Sequence, residues 1–327
     1  MKCLITGGNG FIATHMARIL LQHGHQVSLL DIDPDLGQLA KTNLKFGALN
    51  YLQVDIVADS SELDEAISQS DWVFHFAALV GVKNYIQSPL RLFDVNVLGS
   101  RNIIQACVRH GKRLIFSSTS EIFGKNLNVP WDEDADRVLG STIRGRWTYS
   151  TSKATVEHLI VASGEVDSLD YRIVRFFNSY GPGQNPIFLV SRSIHRAING
   201  LPIETFDGGG QTRSLTYVTD SVDATYEVAR RSDLNYRIFN IGTMDELTIS
   251  EIISQISHVI PGTKVIDREG KDVYGKGYED LVRRIPSNAR IQQETNWRPT
   301  TTPQAGIAFF VEWAHNNPWW LAKSSDI

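Results

Sequence analysis

Cysteine is scarce in this chain: only Cys3 and Cys107 occur among 327 residues. Neither sits in a metal-ligand or redox spacing, which excludes a disulfide scaffold and leaves two reduced core residues as the expectation. No apolar stretch reaches the length of a membrane span. Basic residues form no runs, and 32 Lys and Arg against 36 Asp and Glu give a net charge of −4, so nucleic acid and anionic membrane surfaces are not expected partners. The nine histidines include no HExxH pair, and no metal is expected. No serine lies in a GxSxG elbow, which removes the commonest hydrolase layout. A strand-like run begins at Lys2, leaving no room for a cleavable leader, so a cytoplasmic location is the expectation.

What is present is an alternation of short apolar runs and amphipathic stretches through about residue 176. That is the pattern of an α/β Rossmann-type, doubly wound parallel sheet. Strands are expected at Lys2–Thr6, Gln26–Asp31, Tyr51–Asp55, Trp72–Phe76, Arg113–Ser117 and Tyr171–Phe176. Helices are expected at Phe11–His23, Pro89–His110 and Tyr149–Ser163. Breaks at Gly181-Pro182-Gly183 and Asp207-Gly208-Gly209-Gly210 mark a less regular second half. The expected division is 1–176 with 215–245 as a cofactor domain, and 177–214 with 246–327 as a smaller α/β substrate domain. Trp319-Trp320 reads as packing or a subunit contact.

The run Thr6-Gly7-Gly8-Asn9-Gly10-Phe11-Ile12-Ala13 joins the first strand to the first helix. There backbone amides and the helix dipole can meet a pyrophosphate, and Gly7 and Gly10 permit close approach. Asp31 ends the second strand, where its carboxylate can accept hydrogen bonds from the adenosine ribose hydroxyls and repel a ribose phosphate, favouring NAD over NADP. Asp55-Ile56 follows the third strand and fits either an adenine contact or a plain strand end.

Tyr149 and Lys153 are four apart and so share one helix face. A lysine ammonium and a cationic nicotinamide would favour the phenolate, making Tyr149 a candidate base. Thr119, just beyond the fifth strand, falls where its hydroxyl can reach the same substrate alcohol or cap the strand end.

These elements resemble the extended short-chain dehydrogenase/reductase family, the NAD-dependent epimerases and dehydratases, over essentially the whole chain. The glycine loop, Asp31, His75-Phe76-Ala77-Ala78, Asn96, Ser117-Ser118-Thr119, the Tyr149/Lys153 pair and Arg175-Phe176-Phe177-Asn178 with Gly181-Pro182 carry the likeness. The resemblance implies NAD contacts from Gly7, Asn9, Gly10, Phe11, Ile12, Asp31, Asp55, Ile56, Ala77, Asn96 and Lys153. It implies that Thr119 and Tyr149 bracket a sugar hydroxyl at carbon 4, and that Asn178 and Arg213 hold the diphosphate of a nucleotide sugar. It also implies a homodimer.

The run Thr119-Ser120-Glu121 is similar to that of UDP-glucuronate decarboxylases and UDP-apiose/UDP-xylose synthases, as are Tyr274–Asp280 with Arg283-Arg284-Ile285-Pro286 and the stretch Arg144–Trp147. Dehydratases carry an Asp-Glu pair where this chain has Ser120-Glu121, and carbon-4 epimerases usually have small or uncharged residues there. The resemblance therefore implies a UDP-linked substrate and decarboxylation, with Glu121 and Arg284 as catalytic residues and Ser120 and Tyr278 near the substrate. Epimerisation is the alternative; dehydration and an inactive NAD sensor follow it. Phe123 departs from the tyrosine common in this run.

Overall fold

The structure, a computed structural model, describes residues 1–34, 49–58, 60–81, 87–270 and 281–325. Its centre is a sheet of seven strands: β1 (Lys2–Thr6), β2 (Gln26–Asp31), β3 (Leu49–Gln53), β4 (Trp72–His75), β5 (Arg113–Thr119), β6 (Tyr171–Phe176) and β7 (Ile238–Ile241). The spatial order is β7-β6-β5-β4-β1-β2-β3. Every pairing is parallel. The order reverses between β1 and β4, which opens a crevice at the carboxyl ends of the strands where dinucleotides bind.

Alternation along the strands feeds two apolar layers. Ile5, Leu29, Phe74, Ile115 and Val174 face one side, with Met16 and Leu20 of helix α1 (Phe11–Gln22). Leu4, Leu30, Val73, Leu114 and Ile173 face the other, against Leu63 of α2 (Ser61–Ser68), Ile103 of α3 (Ser100–His110) and Ile160 of α4 (Thr148–Asp167). A strand with both faces covered needs apolar residues at successive positions, which is why these strands read as short unbroken apolar runs.

β5 runs on to Thr119, which therefore ends the strand, and two larger shifts stand out. The third strand lies two residues earlier than its apolar run indicated, because pairing with β2 sets Val27 against Leu49 and Asp31 against Gln53. The expected single helix Pro89–His110 is three pieces: a short helix Pro89–Phe93, a π-helical turn Asp94–Gly99, and α3. The wide turn lets Asn96 bond the Leu79 backbone in both directions, at 2.7 and 3.1 Å, and donate to Ser152 at 3.2 Å. Such one-turn bulges concentrate at functional sites, and apolar spacing does not reveal them.

A third apolar cluster, outside the main sheet, gathers Val190, Ile194, Ile252, Phe310 and Trp320. Trp320 is fully buried and donates its indole N–H to the Gln184 carbonyl at 2.8 Å, so this member of the tryptophan pair is packing. Cys3 and Cys107 are buried free thiols, and burial pushes the Cys3 thiol up to about 12. No helix among the described residues is long and apolar enough to cross a membrane.

Candidate active site

The loop between β1 and α1 is shaped by what its glycines lack. Gly7 has φ +69°, and a Cβ there would stand 2.7 Å from the Ala77 amide nitrogen, so only glycine lets the loop lie against the end of β4. Gly10 starts α1 with no side-chain cap, leaving the dipole end of a 12-residue helix facing the crevice. Phe11 and Ile12 form its first turn; Phe11 packs edge-on against His15, and Ile12 rests on the core. Asp31, at the end of β2, accepts from the Asn9 amide at 2.9 Å, and the Asn9 side-chain amide donates to the Tyr51 hydroxyl at 3.0 Å. This cradle of bare backbone, an uncapped helix start and a carboxylate fits a dinucleotide.

The other expected cofactor residues flank it. The Ala77 amide donates to Thr6 at 3.3 Å. Asn96 is buried under the same crevice wall. Asp55 accepts from the Val57 amide at 2.9 Å and pairs with Arg91 at 3.2 Å, and the neighbouring Ile56 packs against Gly99. His75 is sealed between the Thr6 and Ser100 hydroxyls at 2.7 and 2.8 Å, and burial, with Lys153 nearby, lowers it to about 3. It is a neutral structural residue.

Beside the crevice, α4 presents Tyr149 and Lys153. Lys153 donates to the Ser117 carbonyl at 2.8 Å and lies over the Phe116 ring; burial lowers its pKa to about 7, against the opposing pull of Glu157. The Tyr149 phenol is hydrogen-bonded by Thr119. Burial first, then the charge of Glu121, pushes this phenol up, while Thr119 and Arg284 pull it down. The protein's own groups therefore favour the neutral phenol. The Thr119 hydroxyl also accepts from the Glu121 amide at 3.2 Å, so it both caps the strand end and faces the tyrosine.

Glu121 stands at the centre of a charge cluster. Burial acts to raise its pKa, but Arg146 and Arg284 together hold it down at about 2. Arg146 Nη1 is 2.5 Å from Oε2, and Arg284 Nη2 is 3.1 Å from Oε1. Arg284 Nη1 also donates to Asn178 Oδ1 at 3.3 Å. The adjacent Arg283 points outward to Glu246, with both contacts at 2.8 Å. Asn178 has φ +42°, a conformation asparagine tolerates, and donates to the Ser214 carbonyl at 3.0 Å. Arg213 is buried and donates to the Thr212 and Leu281 carbonyls at 2.8 Å each. Ser120 is buried in the short turn Ser120–Phe123. Tyr278 and the Tyr274–Asp280 stretch lie outside the described residues.

Phe123 explains one departure from the resemblance. Its ring is fully buried, stacked on Trp131 with 4.9 Å between centroids and bordered by Phe177. A tyrosine hydroxyl in this apolar cluster would need a partner or cost about 1–3 kcal/mol. Arg146 is the residue that sequence reasoning missed as part of the site. Its signal was the Arg144–Trp147 stretch ahead of Tyr149, noticed but given no role.

Together, the parallel sheet, glycine cradle and Thr-Tyr-Lys arrangement define an NAD-dependent enzyme with the short-chain dehydrogenase/reductase layout. The chain belongs to the NAD dependent epimerase/dehydratase family, which it matches over residues 3–242. Among its relatives is UDP-N-acetyl-alpha-D-glucosaminuronate decarboxylase of Bacillus cytotoxicus, 34% identical over 323 residues, covering 95% of this chain and 97% of that protein. Bifunctional polymyxin resistance protein ArnA of Wigglesworthia glossinidia brevipalpis is 29% identical over 341 residues, covering 97% of this chain but only 51% of that longer protein. Among solved structures, MoeE5 in complex with UDP-glucuronic acid and NAD superposes with a TM-score of 0.83 at 26% identity, covering 97% of this chain and 100% of that one.

Proposed function

We propose that this protein decarboxylates a UDP-linked uronate, UDP-glucuronate first among the candidates, after oxidation at carbon 4. The observation that carries this reading is Glu121 held between Arg146 and Arg284 beside Tyr149. Two arginines converging on one carboxylate suit a site where a substrate brings a carboxylate of its own. One relative is named for decarboxylation of a UDP-linked uronate, and the MoeE5 structure holds UDP-glucuronic acid and NAD.

In this reading Gly7, Asn9, Gly10, Phe11, Ile12, Asp31, Asp55, Ile56, Ala77, Asn96 and Lys153 hold the cofactor. NAD bound there supplies the hydride acceptor that makes carbon 4 a ketone and the positive ring that favours a Tyr149 phenolate. Tyr149 takes the proton of the carbon-4 hydroxyl, and Thr119 holds that hydroxyl in line. The ketone lies beta to the carboxylate on carbon 5, so carbon dioxide leaves with its electrons delocalised into an enolate. Arg284 binds the departing carboxylate and stabilises the enolate charge, while Glu121 orients the sugar. Ser120, Asn178, Arg213 and Tyr278 line the nucleotide-sugar side. Residues 1–176 with 215–245 form the cofactor domain and 177–214 with 246–327 the substrate domain, in a cytoplasmic homodimer. Sedimentation would test the dimer.

The test is product mass after incubation with NAD and, separately, UDP-glucuronate, its N-acetylated uronate counterpart and neutral UDP-hexoses. Loss of carbon dioxide from a uronate supports the reading. An unchanged mass with inverted carbon-4 configuration makes the protein an epimerase. Cofactor binding with no turnover on any of these makes it an NAD sensor.

A further inference from the structure

We infer that Arg146 is a positioning residue: it anchors Glu121 so that Arg284 can leave that carboxylate for the carboxylate of the substrate. The inference rests on the uronate reading and gives Arg146, which that reading uses without a role of its own in the steps, a specific task.

The two arginines differ in how they are held. Arg146 lies in the Gly145–Trp147 turn, which runs directly into the helix bearing Tyr149, and it is buried. Its guanidinium carbon sits 5.3 Å from the centre of the Trp147 ring, itself 3% exposed, and its Nη1 meets Glu121 Oε2 at 2.5 Å. That is a short charge-assisted bond on a rigid element. Arg284 meets Oε1 at the longer distance of 3.1 Å and shares its other Nη with Asn178 at 3.3 Å. Its Nε–H is buried with no hydrogen-bond partner among the described residues.

Charge accounting gives the asymmetry a purpose. A buried carboxylate stripped of its only cation is strongly unfavourable. Were Arg284 the sole partner of Glu121, turning to the substrate would strand Glu121; with Arg146 in place, each carboxylate keeps one arginine. Arg146, Arg284, Glu121 and one substrate carboxylate sum to zero. Glu121 also opposes ionisation of Tyr149, so pairing it with Arg146 shields the base.

The experiment compares the parent with Arg146→Gln, Arg146→Lys, Glu121→Gln and the Arg146→Gln/Glu121→Gln double variant. Decarboxylation is followed by carbon dioxide release, NAD binding by fluorescence, and Glu121 protonation by the infrared carboxyl band. Arg146→Gln is expected to lower kcat on UDP-glucuronate by about 10²-fold, with NAD affinity nearly unchanged. Arg146→Lys restores the charge without the fork and recovers to within about tenfold of the parent. In Arg146→Gln a protonated-carboxyl band, absent from the double variant, should grow between about pH 7 and pH 4. Glu121 should contribute none to the parent's spectrum there, because its two arginines hold it at about 2, so the band is read as the difference from the parent.

Parent-like turnover and no new band in Arg146→Gln would overturn the inference. So would equal losses of kcat and NAD affinity in both Arg146 variants, which mark a merely structural residue. A parent that processes no uronate sinks the functional reading instead, and the infrared arm still decides whether Arg146 holds Glu121.

Discussion

Glu121 and Arg284 are 163 positions apart in the chain, yet Arg284 Nη2 lies 3.1 Å from Glu121 Oε1. The contact joins the end of β5 to the segment before Pro286, which is tied down where the Trp131 amide donates to the Ile285 carbonyl at 2.9 Å. If the pair serves the step after oxidation, Arg284→Ala should leave NAD affinity intact and lower carbon dioxide release by roughly 10²–10³-fold. Rapid-quench product analysis checks this; a comparable loss of NAD binding would place Arg284 elsewhere in the cycle.

Tyr149→Phe removes the phenol that Thr119 bonds while keeping the ring. Carbon-4 oxidation should fall by about 10²–10⁴-fold, read as the loss of any absorbance change from cofactor reduction on substrate addition. Turnover at the parent rate would reassign the base.

Lys153 gives a pH signature. Its ordinary value of 10.5 is lowered by burial to about 7. Between those two values the unfolded chain binds the proton that the folded one has released, so stability from this group rises with pH across that window. Below about 7 the buried ammonium is a full burden on the fold. Lys153→Met should therefore be most stabilised relative to the parent at neutral pH and below, with the gap narrowing toward pH 10.5. Thermal unfolding of both across that range checks the sign, and a pH-independent gap would contradict it.

Gly7 and Gly24 separate strain from collision. Both have positive φ, +69° and +75°, but a Cβ at Gly7 meets the Ala77 backbone at 2.7 Å, whereas nothing lies within 4 Å of one at Gly24. Gly24→Ala should lose about 1 kcal/mol of stability with NAD affinity unchanged. Gly7→Ala should lose more and weaken NAD by at least about tenfold, because the loop must move off β4. Calorimetry with and without NAD distinguishes the two.

If Asp31 meets the adenosine ribose, it discriminates between the dinucleotides. Asp31→Asn keeps an acceptor for the Asn9 amide, now 2.9 Å away, but removes the charge that opposes a ribose phosphate. The preference for NAD over NADP should shrink by on the order of tenfold in titrations of both cofactors.

Legibility followed locality. β2 was readable to the residue as Gln26–Asp31, and the glycine loop fell between β1 and α1 as its spacing required. α4 was found but runs to Asp167, where Ser168 in a left-handed conformation ends it, a stop with no glycine to announce it. The break of the Pro89–His110 helix was invisible because it serves Leu79 and Ser152, distant partners of Asn96. Asp55 was expected to end the third strand, which stops at Gln53, and its pairing with Arg91 could not be read from spacing.

The sequence by itself determined the sheet class, the glycine loop between β1 and α1, Asp31 at a strand end and the shared face of Tyr149 and Lys153. Helix and strand periods are fixed by backbone sterics, so short spacings translate directly into geometry. Only the tertiary structure decided that Glu121 is shared by Arg146 and Arg284, that Arg283 turns away, and that Asn178 faces Arg284. A guanidinium on a long side chain meets whatever the packed chain brings within reach, and that depends on the path of segments more than a hundred residues apart.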